Sequence, residues 1–400
     1  MIYLEVTTSC KSVRNTGIQR ITRKLFHELA ARGPVTPISW NKVGRRFQRL
    51  SRRELATLKA PFRGRSRPAG RPELRGENLV GDACRLIFRR TLCLQREMGP
   101  DDVFLMPDIY RDARTRFFRD LIAQIAGQSV AIFHDAAELQ LPSLYSRAGP
   151  GFRNYIESLS AFDLVVCVSH SSHEHLQQLW SQFRATPTKT AVEPWPIEFA
   201  PAERNCATRT SHNLIVCVGS LEPRKNHPAL LRETEALWRR GIQFNLQLIG
   251  RGDDIFGGRV TRQIRRLQKN GYPIQWLRHV PEGILHRAYR ECRFTVYPSL
   301  AEGFGLPILE SLWHGKPCVC GGNGALGETA LGGGCLIVDQ TSRGAIAAGI
   351  EKLLNDQETY QRLCREARAR TFRSWSDYSG RLLSHLQMLR GKHTVRLAES

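Results

Sequence analysis

Residues 299–310 read Ser-Leu-Ala-Glu-Gly-Phe-Gly-Leu-Pro-Ile-Leu-Glu. They follow a short apolar run, Phe294–Tyr297, that reads as a buried strand, and they open into an apolar helical pattern near Pro307. Strand, glycine loop and helix start therefore come in that order. Backbone N–H groups at a helix start, with the helix dipole behind them, favour an anion. Gly303 and Gly305 let a ligand approach the backbone with no Cβ in the way. Pro307 suits the first helical turn, where its missing N–H has no partner to lose. Glu302 enters the loop and Glu310 sits about one turn into the helix, so both carboxylates flank whatever the loop holds. A carboxylate repels phosphate but accepts hydrogen bonds from sugar hydroxyls. Phosphate on the loop and hydroxyls on the acids together point to a nucleotide sugar.

A second stretch agrees with the first. Asn213–Val218 reads as a buried strand, and Gly219-Ser220-Leu221-Glu222-Pro223-Arg224-Lys225-Asn226 follows it. Two adjacent cations thus stand in a turn ahead of a helical pattern from about Pro228 to Arg240. Arginine forks onto two phosphate oxygens and lysine adds a point charge. Taken alone, the same residues also read as a solvated basic turn. In the amino-terminal half, the strand Val130–Phe133 ends in His134-Asp135, at the edge where open α/β sheets gather their ligands.

The run Glu302-Gly303-Phe304-Gly305-Leu306-Pro307, with Glu310 after seven intervening residues, resembles the signature of the retaining glycosyltransferases of family four. The resemblance is close over about Leu214–Glu328 and looser before it. It implies the GT-B fold, an α/β architecture of two Rossmann-like parallel-sheet domains facing each other across a cleft. It also implies a carboxyl-terminal helix that crosses back to the first domain. In such a site Glu302 faces the donor sugar, Glu310 holds the ribose, and Gly303, Phe304, Gly305 and Leu306 line the diphosphate. Gly219, Arg224 and Lys225 grip the diphosphate and stabilise the departing nucleotide. His134 and Asp135 lie near the scissile bond. Gly17, in Asn15-Thr16-Gly17-Ile18-Gln19-Arg20, lies between donor phosphate and acceptor, although many members carry two glycines there and this chain one. The family's Asn-Gly-Val-Asp type of hinge is also missing, and Trp195-Pro196-Ile197-Glu198 stands in its place.

The implied reaction moves a sugar from a nucleotide-diphosphate donor, GDP-mannose or a similar GDP- or UDP-hexose, to a glycan or lipid-linked oligosaccharide in cell-surface polysaccharide synthesis. Retention at the anomeric carbon comes with it. The sequence has no Asp-x-Asp pattern, so no metal and no cofactor is expected; cations and the helix start would neutralise the leaving group. A run at Gly321–Glu328 mimics a dinucleotide fingerprint, but its position after the Glu302–Glu310 segment makes it a loop beside the donor.

Composition frames these readings. A chain of 400 residues with 41% hydrophobic content is ample for two domains. Alternating strand and helix patterns place the first at 1–200, the second at 201–372 and the returning helix at 373–400. No apolar run reaches membrane-spanning length, and the start of the chain lacks a secretion signal. The eleven cysteines, several inside apolar runs, read as reduced thiols of a cytoplasmic protein. The formal net charge is +22, and much of it lies in residues 42–76. That stretch reads as a mobile basic insertion in which Arg46, Phe47, Arg49, Leu50 and Arg53 form an amphipathic turn. It would draw the protein to an anionic membrane surface, peripherally and on the inner face; nucleic acid is the lesser expectation. The rival readings are a phosphorylase or epimerase of the same fold, and a basic membrane- or nucleic-acid-binding protein with a degenerate sugar site.

Overall fold

A computed structural model describes residues 1–12, 16–60, 91–145, 150–199, 204, 213–252, 257–278 and 280–398. The strands fall into two sheets. The first holds β1 (Ile2–Glu5), β2 (Val35–Asn41), β3 (Arg46–Arg49), β4 (Thr91–Leu92), β5 (Val103–Met106), β6 (Gln128–Phe133), β7 (Leu164–Cys167) and β8 (Lys189–Val192). The second holds β9 (Leu214–Val218), β10 (Asn245–Ile249), β11 (Ile274–Leu277), β12 (Phe294–Tyr297), β13 (Cys318–Cys320) and β14 (Cys335–Ile337). Their orders are β4-β3-β2-β1-β5-β6-β7-β8 and β11-β10-β9-β12-β13-β14. Every pairing in the second sheet is parallel, and the first is parallel except where β3 joins β2 and β4.

Near-continuous apolar strands follow from burial on both faces. Along β5, Phe104 and Met106 pack with Phe118, Tyr155 and Phe162 on one face, while Val103 and Leu105 pack with Leu4, Ile132 and Val166 on the other. The helix Trp375–Ala398 joins that second face through Trp375, Tyr378, Leu382, Leu386 and Leu389, spaced three and four apart. Its partners there include Leu25 and Leu29 of the helix Gly17–Arg32. The chain's end thus returns to the first sheet, and the architecture is GT-B.

The stretch 42–76 needs a correction over its described part. Residues 46–49 are not an amphipathic turn but the antiparallel strand β3, with Phe47 in register with Trp40 and Leu92. Phe47 is buried, and its ring packs on Trp40, Phe104 and Phe118. Phe47 points into the core, Gln48 is buried beside it, and Arg46 and Arg49 stay exposed at the two ends of the strand. Leu50 packs against the first sheet's other face. The helix Arg52–Lys59 then starts at Ser51, whose side chain pairs with Glu54 in a capping box. Residues 61–76 lie outside the described residues. The Gly321–Glu328 run is likewise no plain loop, since a helix occupies Gly324–Ala330.

Candidate active site

In each sheet the crevice between two neighbouring strands that wind in opposite directions opens at their carboxyl ends. In the second sheet those strands are β9 and β12. Arg224 and Lys225 follow β9, and Glu302 follows β12. Pro223 starts a tight turn over Pro223–Lys225, and Asn226 ends it in the left-handed region at φ 55°. Leu300 N–H donates to the Arg224 carbonyl at 2.7 Å, which ties the two loops together.

Glu302 is the centre of this cluster. Its side chain is 7% exposed. It pairs with the Arg224 guanidinium, and Lys225 Nζ donates to its Oε1 at 2.6 Å. Tyr297 Oη and Ser299 Oγ donate to the same oxygen at 2.8 and 2.5 Å. Burial pushes the Glu302 carboxyl up, but Arg224 and Lys225 outweigh it and hold the group down at about 2. Burial and then the neighbouring Arg224 lower Lys225. The opposing cations and anions of the cluster nearly balance. Gly219 rests beside the Lys225 stem, where a side chain would make only ordinary contact, and its N–H closes the sheet end on Ile249.

Past Glu302 the loop turns under tight constraint. Gly305 takes φ 100° as the residue before the helix Leu306–Trp313. Gly303 abuts the first sheet so closely that a Cβ would lie 1.9 Å from the His134 carbonyl oxygen. Phe304 and Leu306 pack between the cores of both halves. Glu310 is buried: one oxygen accepts the Tyr289 hydroxyl at 2.7 Å and the other pairs with Arg20 from the first half. Gly17, at the start of the helix Gly17–Arg32, faces the Leu306 side chain.

On the first sheet's side, His134 ends β6 and is buried. Its Nε2 lies 2.7 Å from the Pro107 carbonyl. A carbonyl only accepts, so Nε2 carries the proton and the neutral ring presents Nδ1 as an acceptor. Burial lowers the His134 pKa, which keeps the ring neutral. The ring stacks on Trp195 at 5.7 Å between centroids, and Trp195 packs in turn on Tyr378 at 4.8 Å with the rings tilted by 32°. Asp135 caps its own turn by accepting Ala137 N–H at 3.3 Å. Two more contacts cross the cleft. Ser169 Oγ donates to the Gly303 carbonyl at 2.7 Å. Glu328 accepts His170 N–H at 2.9 Å and Ser171 N–H, at the start of the helix His170–Phe183.

Comparison with known proteins identifies the family. The family described as Glycosyl transferases group 1 matches residues 202–370. The O-antigen chain mannosyltransferase B of Escherichia coli is 30% identical over 295 residues, which cover 71% of this chain and 73% of that protein. The chain belongs to the group 1 glycosyltransferases. A GDP-mannose-dependent alpha-(1-6)-phosphatidylinositol dimannoside mannosyltransferase of Mycobacterium tuberculosis is 28% identical over 60% of this chain and 62% of its own length. Among solved structures, a sucrose-phosphate synthase from Thermosynechococcus elongatus superposes with a TM-score of 0.67 over 100% of this chain and 99% of its own, at 17% identity.

In this glycosyltransferase the sequence-predicted residues form two groups around one cleft. Glu302, Arg224 and Lys225 touch one another, and Gly303 touches His134 and Asp135. Glu310 stands apart with Tyr289 and Arg20. Sequence reasoning passed over Tyr297, Ser299, Tyr289, Arg20 and Trp195 as site neighbours. Tyr297 was visible as the last residue of a strand and Ser299 as the first of the quoted loop. The partnership of Trp195 with His134 joins residues 61 apart within the first half, and that of Arg20 with Glu310 depends on the two halves meeting; no local pattern reports either.

Proposed function

We propose that the protein is a retaining mannosyltransferase that uses GDP-mannose, without a metal, to extend a glycan or lipid-linked oligosaccharide of a cell-surface polysaccharide. The observation that carries this reading is the Glu302–Arg224–Lys225 cluster at the β9/β12 crevice, whose next residue, Gly303, abuts the His134 carbonyl across the cleft. The names of the E. coli and mycobacterial relatives support mannose, and the second supports a guanine nucleotide. The diphosphate would take the donors of Arg224 and Lys225 and the first N–H groups of the helix Leu306–Trp313. Glu302 would then turn to the sugar, and Glu310 would accept ribose hydroxyls. His134 Nδ1 would accept a donor-sugar hydroxyl.

In the reaction the bond from the anomeric carbon to the diphosphate oxygen breaks, and the acceptor oxygen bonds that carbon from the same face. The acceptor proton passes to the leaving phosphate. Arg224 and Lys225 stabilise the charge that grows on that phosphate, the kind of contribution that is worth about 10²–10³ in rate when one donor is removed. Attraction to an anionic membrane would bring a lipid-linked acceptor within reach. Lys42, Arg45, Arg46, Arg49, Arg52, Arg53 and Lys59 are exposed along one edge of the first sheet. With Phe47 buried, this attraction is electrostatic and should weaken with salt. Among the described residues no helix is long and apolar enough to cross a membrane.

The test is a donor screen with a short mannoside acceptor, followed by NMR of the product. Transfer from GDP-mannose in the presence of EDTA, giving an α-linked product, is expected. A β-linked product would overturn retention, and transfer only with added metal would overturn metal independence.

A further inference from the structure

Among the groups facing the cleft, Arg20 has no place yet in the reaction. It lies in the first turn of the helix Gly17–Arg32, on the first sheet's side, and pairs across the cleft with Glu310. The Glu310 side chain is 3% exposed and that of Arg20 19%. The outer guanidinium nitrogen lies 3.9 Å from the exposed Glu282 carboxylate.

Two physical arguments bear on what Arg20 does when donor arrives. A ribose is neutral, so its hydroxyls donate to Glu310 but do not neutralise it. Removing Arg20 would leave a buried carboxylate without a counter-charge, so Arg20 stays when the ribose binds. The second argument is charge balance. Arg20, Arg224 and Lys225 stand against Glu222, Glu302 and Glu310, with Glu282 a fourth carboxylate near Arg20, so a diphosphate adds its negative charge to a set that has no positive excess. Without the cation of the first half, the closed cleft would hold a large excess of negative charge. Glu310 lies one helical turn beyond Leu306, whose side chain meets Gly17, so the guanidinium sits beside the turn where two helix starts converge.

We infer that Arg20 is a donor-binding residue supplied by the first domain: Glu310 orients its guanidinium, and the remaining N–H groups contact the donor's diphosphate when the cleft is closed. This rests on the reading of Glu310 as the ribose carboxylate. It makes nucleotide recognition depend on both halves, because a phosphate contact from Arg20 exists only in the closed arrangement.

The experiment is calorimetric titration of GDP, UDP and the corresponding nucleosides into the full chain as wild type, Glu310→Gln, and Glu310→Gln combined with Arg20→Ala. The double variant avoids stranding a buried carboxylate, and far-ultraviolet dichroism checks that it folds. Glu310→Gln should weaken nucleoside and nucleoside diphosphate alike. Adding Arg20→Ala should weaken the nucleoside diphosphate a further tenfold or more and leave the nucleoside unchanged. Equal affinity of the single and double variants for the diphosphate would overturn the inference, as would an equal further loss for the nucleoside. Glu310→Gln binding like wild type would remove the ribose reading beneath it, and a wild type that binds no nucleoside diphosphate would remove the donor site itself.

Discussion

The two lips of the cleft neutralise their charges in different ways. On the second sheet's lip, Glu302, Arg224, Lys225 and Glu222 come from two adjacent loops and pair at the mouth of the β9/β12 crevice. On the first sheet's lip an ion pair is sunk below the surface. Glu5, at the end of β1, is fully buried and pairs at 3.0 Å with Arg114, 109 residues away. Apart from Arg20, which reaches across to Glu310, and Asp135, what that lip offers the cleft is neutral: the His134 ring, its carbonyl and the Ser169 hydroxyl. The difference fits a division of work in which one lip, joined by Arg20, handles a charged diphosphate and the other holds uncharged sugar and keeps geometry. A lip built from local charge should fail in its chemistry when mutated, and a lip built from distant packing should fail in its stability.

Trp195→Ala is the strongest challenge to the second half of that statement. Trp195 is buried between His134 and the returning helix residues Trp375 and Tyr378. Its truncation should cost about 3–5 kcal/mol in a denaturant titration. Transfer activity should fall with it because His134 loses its stacking partner. A variant of unchanged stability would mean that packing does not hold this lip.

Acid titration sharpens the first half. The folded-state pKa of Glu302 is depressed from an ordinary 4.5 to about 2, a shift on the order of 3 kcal/mol in stability. For a depressed carboxylate that stability is present above the unfolded value and is lost as pH falls from about 4.5 towards 2. Stability against pH should therefore drop in that window for wild type. The Glu302→Gln protein should lack that part of the drop, and superimposable curves would mean that the Arg224–Lys225 pairing contributes nothing to the fold.

Next in size is Gly303→Ala, at the point where the lips touch. A Cβ there would stand 1.9 Å from the His134 carbonyl oxygen, so the halves must part. Overpacking of this kind costs about 1–3 kcal/mol. Small-angle scattering should show a larger radius of gyration than wild type, and an unchanged radius would mean that the lips do not meet at Gly303. The smallest effect is expected of Glu328→Gln, which weakens a cap on the helix His170–Phe183 from across the cleft. Its cost should be about 1 kcal/mol, and it should diminish in high salt. A salt-independent loss would point to packing and not to charge.

The same contrast explains what the sequence made legible. The strands expected at Phe294–Tyr297, Asn213–Val218 and Val130–Phe133 stand within two residues of those spans, because a strand buried on both faces writes itself as an apolar run. Gly305 and Pro307 marked the loop and helix start, since each is there for a local backbone reason, whereas Gly303 is required by the His134 carbonyl across the cleft. The pairing of Arg224 and Lys225 with Glu302 rests on two loops at neighbouring strand ends, and strand order brings them together. The antiparallel strand β3 was missed because only Phe47 and Gln48 of its four residues are buried, and these are adjacent, so it shows no alternation among many arginines. Trp195 and Arg20 were missed because their partners, Tyr378 and Glu310, stand on other elements far along the chain.

The central claim is that Arg224, Lys225 and Glu302 form the binding site of a nucleoside diphosphate. Its most direct test is calorimetric titration of GDP and UDP, in EDTA, into wild type and Lys225→Ala. The account predicts saturable binding of GDP to wild type, and at least a tenfold loss in the variant with its fold intact. Equal binding to both proteins, or binding to neither, would contradict it.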